Sequence, residues 1–115
     1  MKLAFIFVLI SLSVGLIFGK QGDLITPEMI EELPGPGKRI RQVAPEYEGT
    51  SVYHSLYLPT DWQKGKVYPV LVEYTGNKFL ACGSTGEVNG SNLGYGLSGG
   101  EGFIWVTMPY IQKGK

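Results

Sequence analysis

Two apolar runs, Val70-Leu71-Val72 and Phe103-Ile104-Trp105-Val106, are separated by a connection holding nine glycines, and this combination rules out most ways of folding the chain. Each run is short, rich in β-branched or aromatic residues and apolar on successive positions, as in a strand covered on both faces. A half-exposed hairpin strand would alternate instead. Such strands joined by well over a dozen residues predict neighbours in a parallel sheet, because parallel pairing requires a crossover. Glycine opposes helix, so the crossover is expected to be a long ordered loop, and long loops inside domains usually carry function. Thr75-Gly76-Asn77 marks the point where the first strand gives way to it.

The chain begins with Met1-Lys2, an apolar stretch over 3–18 softened by Ser11, Ser13 and Gly15, then Gly19 before polar Lys20-Gln21-Gly22-Asp23. This is the form of a secretory signal, with cleavage expected after Gly19. The apolar stretch falls short of the roughly 20 residues that span a bilayer, so no stable membrane span is expected after cleavage. Residues 20–48 read as an N-terminal extension with a short helical turn, signalled by Thr26 as N-cap, Pro27 at the first position and Glu28 near the positive end of the dipole. Pro34-Gly35-Pro36-Gly37 ends that turn, and Lys38-Arg39-Ile40-Arg41 reads as a solvated approach to a strand. From Thr50 the period becomes two, with Val52, His54, Leu56 and Leu58 on the more apolar face and Tyr53, Ser55 and Tyr57 on the other. Turns are expected at Pro59 and Asp61 and at Lys64-Gly65-Lys66.

Ten basic residues balance ten acidic ones in the 115-residue chain, and loss of Lys2 with the leader leaves about one net negative charge. Neither a basic patch for nucleic acid nor an acidic tail is present. Cys82 is the single cysteine, so no internal disulfide forms; in an oxidising compartment it is either buried or lacks its partner. One histidine and one cysteine far apart in sequence give no zinc spacing, and no cofactor is expected.

The stretch SLYLPTDWQKGKVYPVLVEYTGN resembles the N-terminal edge of secreted α/β-hydrolases of the esterase and prolyl-oligopeptidase-like kind. There a strand ending in Tyr-Leu-Pro leads through a polar turn to Tyr-Pro and an apolar strand, which runs into a His-Gly-Gly-type loop. EGFIWVTMPY is similar to the strand that follows. The resemblance covers 55–110 and implies that the loop after the first apolar strand supplies one backbone N–H of an oxyanion hole. A fixed amide dipole there stabilises the charge of a tetrahedral intermediate without reorganising. By position the candidate oxyanion residues are Thr75, Gly76 and Asn77, with Thr75 standing where histidine is common and Lys78 where another glycine often sits.

Gly96-Leu97-Ser98-Gly99-Gly100 matches the G-x-S-x-G string of a nucleophile elbow, but Ser98 is rejected as nucleophile: the elbow needs a buried strand before it and a helix after it. The acid and histidine should also follow the serine, whereas His54 lies upstream in a strand and reads as a packed, hydrogen-bonded residue. Glu73 interrupts an apolar strand and must find a cationic partner or an exposed rim. Asn89-Gly90-Ser91 is an N-glycosylation sequon, meaningful in a eukaryotic secreted chain.

These readings combine into an α/β fold class: a partial α/β-hydrolase sheet of N-terminal strands only, β-rich, with a long glycine-rich loop and little helix. The expected division is signal peptide 1–19, extension 20–48 and an incomplete hydrolase domain 49–115. The resemblance implies a fragment of a secreted serine hydrolase acting on small-molecule or carbohydrate esters by acyl transfer, extracellular or, in a bacterium, periplasmic. The fragment alone is expected to be inactive, because nucleophile and triad are missing. The alternative is a small secreted β-rich binding module whose glycine loop and aromatics Tyr74, Tyr95, Phe103, Trp105 and Tyr110 form a recognition surface. A weaker third is an inactive decoy or a peptide precursor cleaved at Lys38-Arg39.

Overall fold

A computed structural model describes residues 24–111. The leader at 1–19 and the cleavage after Gly19 lie outside the described residues. Five strands form one mixed sheet: β1 (Met29–Ile30), β2 (Arg39–Gln42), β3 (His54–Tyr57), β4 (Val70–Tyr74) and β5 (Ile104–Met108), in the order β1-β2-β3-β5-β4. β1 is parallel to β2, β2 and β3 are antiparallel, β3 and β5 are antiparallel, and β4 and β5 are parallel. The parallel pairing expected of the two apolar runs is therefore present, with Leu71 opposite Trp105 and Val72 opposite Val106.

The crossover is not free of helix. A six-residue helix, α1 (Leu93–Ser98), sits inside the glycine-rich connection and packs on β4 and β5. Gly94 is explained by proximity: a Cβ there would lie 2.2 Å from Trp105 Cδ1, so only glycine lets the helix sit on the indole. Gly99, at φ +64°, ends the helix in the left-handed conformation. The helical turn expected around Thr26 and Pro27 is instead extended chain leading to β1. Only six residues separate Pro27 from Pro34, too few to repay helix nucleation, and Met29 and Ile30 pair with Arg39 and Ile40 instead.

Among the described residues the sheet is fully covered on one face and only in part on the other, which corrects the expectation for the apolar runs. Across β2, β3, β5 and β4 the register lines up Arg39, Tyr57, Trp105 and Leu71, flanked by Ser55, Thr107 and Glu73. This is the face under α1 and the Val88–Gly90 3-10 turn, and Arg39, Ser55, Tyr57, Trp105 and Thr107 are all buried on it. In β3 it is thus the Ser55 and Tyr57 face that turns inward, not the more apolar face of His54 and Leu56, because the covering helix and loop come from the Trp105 side. The opposite face carries Ile30, Ile40, Leu56, Val106 and Val72, closed at Ile40 but open at the β4 edge, where Val72 is 52 % exposed. No helix among the described residues is long and apolar enough to cross a membrane.

Candidate functional site

The covered face is held together by two charged side chains that the strands carry inward. Glu73, in the middle of β4, accepts from the backbone N–H of Gly94 (3.0 Å), from that of Leu93 (3.4 Å) and from the indole Nε1 of Trp105 (2.9 Å). It therefore caps α1 from a neighbouring strand, a role that the N-cap residue Asn92 does not fill with its own side chain. This is the answer to a carboxylate inside an apolar run: instead of a cationic partner or an exposed rim it has three N–H groups to accept from.

Arg39 is the counterpart on β2. The expected solvated approach is overturned here, since Arg39 is buried and its guanidinium stacks 4.8 Å from the centre of the Trp105 ring. Its Nη2 donates to the carbonyls of Val88 (2.7 Å) and Ser91 (3.2 Å), and its Nη1 to that of Asn89 (3.2 Å). Burial pulls the guanidinium below its ordinary pKa, and the charge of Glu73 pulls it back up. The planar fork suits this task, because one side chain satisfies three carbonyls of a tight turn at once.

Beyond this scaffold two crevices open at the carboxyl ends of β4 and β5. The first, about 230 Å³, is polar and is lined by Glu73, Thr75, Gly76, Cys82, Glu87 and Asn92 among others. The second, about 350 Å³, lies between Val52, Tyr53, Val88, Pro109 and Tyr110. Of the candidate oxyanion residues, Thr75 and Gly76 line the first crevice. The Thr75 N–H is already occupied, donating to the Met108 carbonyl (3.2 Å), while Thr75 Oγ1 accepts from Tyr110 N–H (3.0 Å). That leaves the exposed Gly76 and Asn77 as the positions from which an amide could point at a ligand. The loop beyond them is folded back on itself: Phe79 and Ser84 exchange backbone hydrogen bonds around the Leu80–Cys82 turn, and Ser84 Oγ donates to the Asn77 carbonyl (3.1 Å). Gly86, at φ +71°, lies so close that a Cβ would meet Lys78 N at 2.9 Å.

The rejected triad members stay apart from this crevice. Ser98 ends α1, where its Oγ accepts from Gly100 N–H (3.1 Å), and His54 on β3 shares a hydrogen bond with Gln42 Oε1 (3.2 Å). Cys82 is exposed, with its thiol near the Phe79 carbonyl (3.3 Å). No group of three or more histidine, cysteine or acidic side chains among the described residues is placed to hold a metal ion. The sequence reading missed Arg39; its signal was the alternation Arg39-Ile40-Arg41-Gln42, which sends one guanidinium to each strand position of the same face. No protein-family model, curated protein or solved structure matches the chain.

Proposed function

We propose that the chain is the N-terminal part of an α/β-hydrolase, exported through its 1–19 leader and acting outside the cell on carboxylic or carbohydrate esters. The observation that carries the reading is the pair of parallel strands β4 and β5 with crevices at their carboxyl ends, because ligands of open α/β sheets bind in the crevice outside those ends. Gly76 and Asn77, on the loop leaving β4, are then the oxyanion residues, and Thr75 is the residue that ties that loop to β5. The function of these amides is to stabilise developing charge on a carbonyl oxygen. Nucleophile, acid and base belong to sequence outside this chain.

The second reading, a secreted binding module, draws support from Tyr74 and Tyr110, both largely exposed at the same end of the sheet; Trp105, at 0 % exposure, belongs to the core in either case. The first of two measurements separates the readings, and the second checks the assignment of roles. The transcript sequenced past the Lys115 codon should continue into a strand, a G-x-S-x-G elbow and later an acid and a histidine. The purified chain should not hydrolyse a short-chain nitrophenyl ester. Turnover abolished by Ser98→Ala would overturn the assignment of roles, and a stop codon directly after Lys115 would leave the binding module.

A further inference from the structure

We infer that Asn89 is a glycan attachment site, presented to solvent by the buried Arg39. The sequon Asn89-Gly90-Ser91 coincides with the turn whose carbonyls the guanidinium collects: Val88, Asn89 and Ser91 all direct their C=O groups inward to Arg39. Asn89 itself is exposed and lines neither crevice at the carboxyl ends of β4 and β5. Gly90 is fixed by packing, since a Cβ there would meet Thr85 Oγ1 at 2.2 Å. Ser91 Oγ donates one exposed 3.2 Å hydrogen bond, to the Glu87 carbonyl. Main-chain carbonyls turned inward and an exposed Asn89, with Gly90 and Ser91 rather than Asn89 lining the first crevice, is the arrangement a sugar chain requires, because a glycan is bulky and solvated.

In the transfer, Asn89 Nδ2 bonds to the anomeric carbon of a lipid-diphosphate-linked oligosaccharide. The anomeric C–O bond breaks with its electron pair leaving on the diphosphate, and the amide releases one proton. The inference rests on the secretory reading of 1–19. It goes beyond the hydrolase proposal, since a glycan at Asn89 would flank the first crevice without filling it.

The test is cell-free translation of the full 115-residue chain with eukaryotic microsomes. The protease-protected product should show one upward step in gel mobility that endoglycosidase removes. Asn89→Gln and Ser91→Ala should each abolish the step, and Ser91→Thr should retain it. A protected, leader-cleaved chain without the step overturns the glycan site while leaving the secretory reading intact. A chain that never becomes protected overturns both.

Discussion

At Tyr57 one proton couples the core to alkaline pH. The phenol is buried between Tyr95, which it meets edge-on at 5.5 Å, and Trp105, and its O–H donates to the Gly100 carbonyl at 3.0 Å. Burial first, then the neighbouring Tyr95, Asp61 and Glu101, pushes its pKa up to about 12 from 10.0. The folded state holds this proton more tightly than the unfolded chain does. The stability it contributes is thus fully present below pH about 10 and is lost as pH climbs through about 12. Tyr57→Phe should cost about 1 kcal/mol at neutral pH through the lost hydrogen bond, and should flatten the alkaline decline. Urea titrations of both proteins at pH 7 and pH 11 measure the difference; equal alkaline losses would remove Tyr57 from the explanation. Nearby, Ser55 Oγ and Thr107 Oγ1 sit on opposed residues of β3 and β5, buried and without a partner among the described residues.

At the scale of elements, the contact between α1 and β5 decides whether the crossover is ordered. Gly94→Ala would drive a methyl group into the Trp105 indole, and overpacking of this kind costs about 1–3 kcal/mol. The helix N-terminus would also be carried away from the Glu73 carboxylate, so Gly94→Ala should reduce the near-ultraviolet circular dichroism of the aromatic cluster and hasten proteolysis of 76–102. An unchanged spectrum would mean that the helix tolerates the displacement. This contact also explains which elements were legible in the sequence. The strands β4 and β5 were visible because their apolar runs are local, and their parallel pairing followed from the length of chain between them. The helix was hidden because glycine at 94 and 96 argues against it locally, while the reason for Gly94 is a tryptophan eleven residues along the chain. Arg39 was read by its charge, and its true partners lie about fifty residues away. Thr75, Gly76 and Asn77 stand in the sequence as candidate oxyanion residues; Thr75 and Gly76 line the first crevice and Asn77 does not, and only the register of β4 against β5 reveals that the Thr75 amide is taken.

For the whole molecule, the uneven cover of the sheet predicts behaviour in solution. One face is buried under α1 and the loop; the other runs as an apolar row that opens at β4, a sheet-edge strand where Val70, Val72 and Tyr74 are all exposed. An exposed apolar edge strand invites pairing with another chain. The isolated chain should therefore associate with rising concentration, and Val72→Lys should suppress this without altering the covered face, where Glu73 and Leu71 point. Sedimentation velocity over a concentration series gives the answer: a monomer at every concentration would show that the edge is already protected.

The clamp made by Arg39 also sets an order in time. Its guanidinium is synthesised 49 residues ahead of the Val88 carbonyl that it grips most closely, a lag of roughly 2–10 s at ordinary rates of translation. Through that interval the arginine waits in water beside the β2–β3 pair, and the turn around Asn89 reaches its final shape only when the second half of the sheet has arrived to close over it. Closing that clamp turns an open stretch of chain into a rigid bend, so any enzyme that needs Asn89 in an extended, pliable segment has its opportunity before the carbonyls of 88–91 are gathered in.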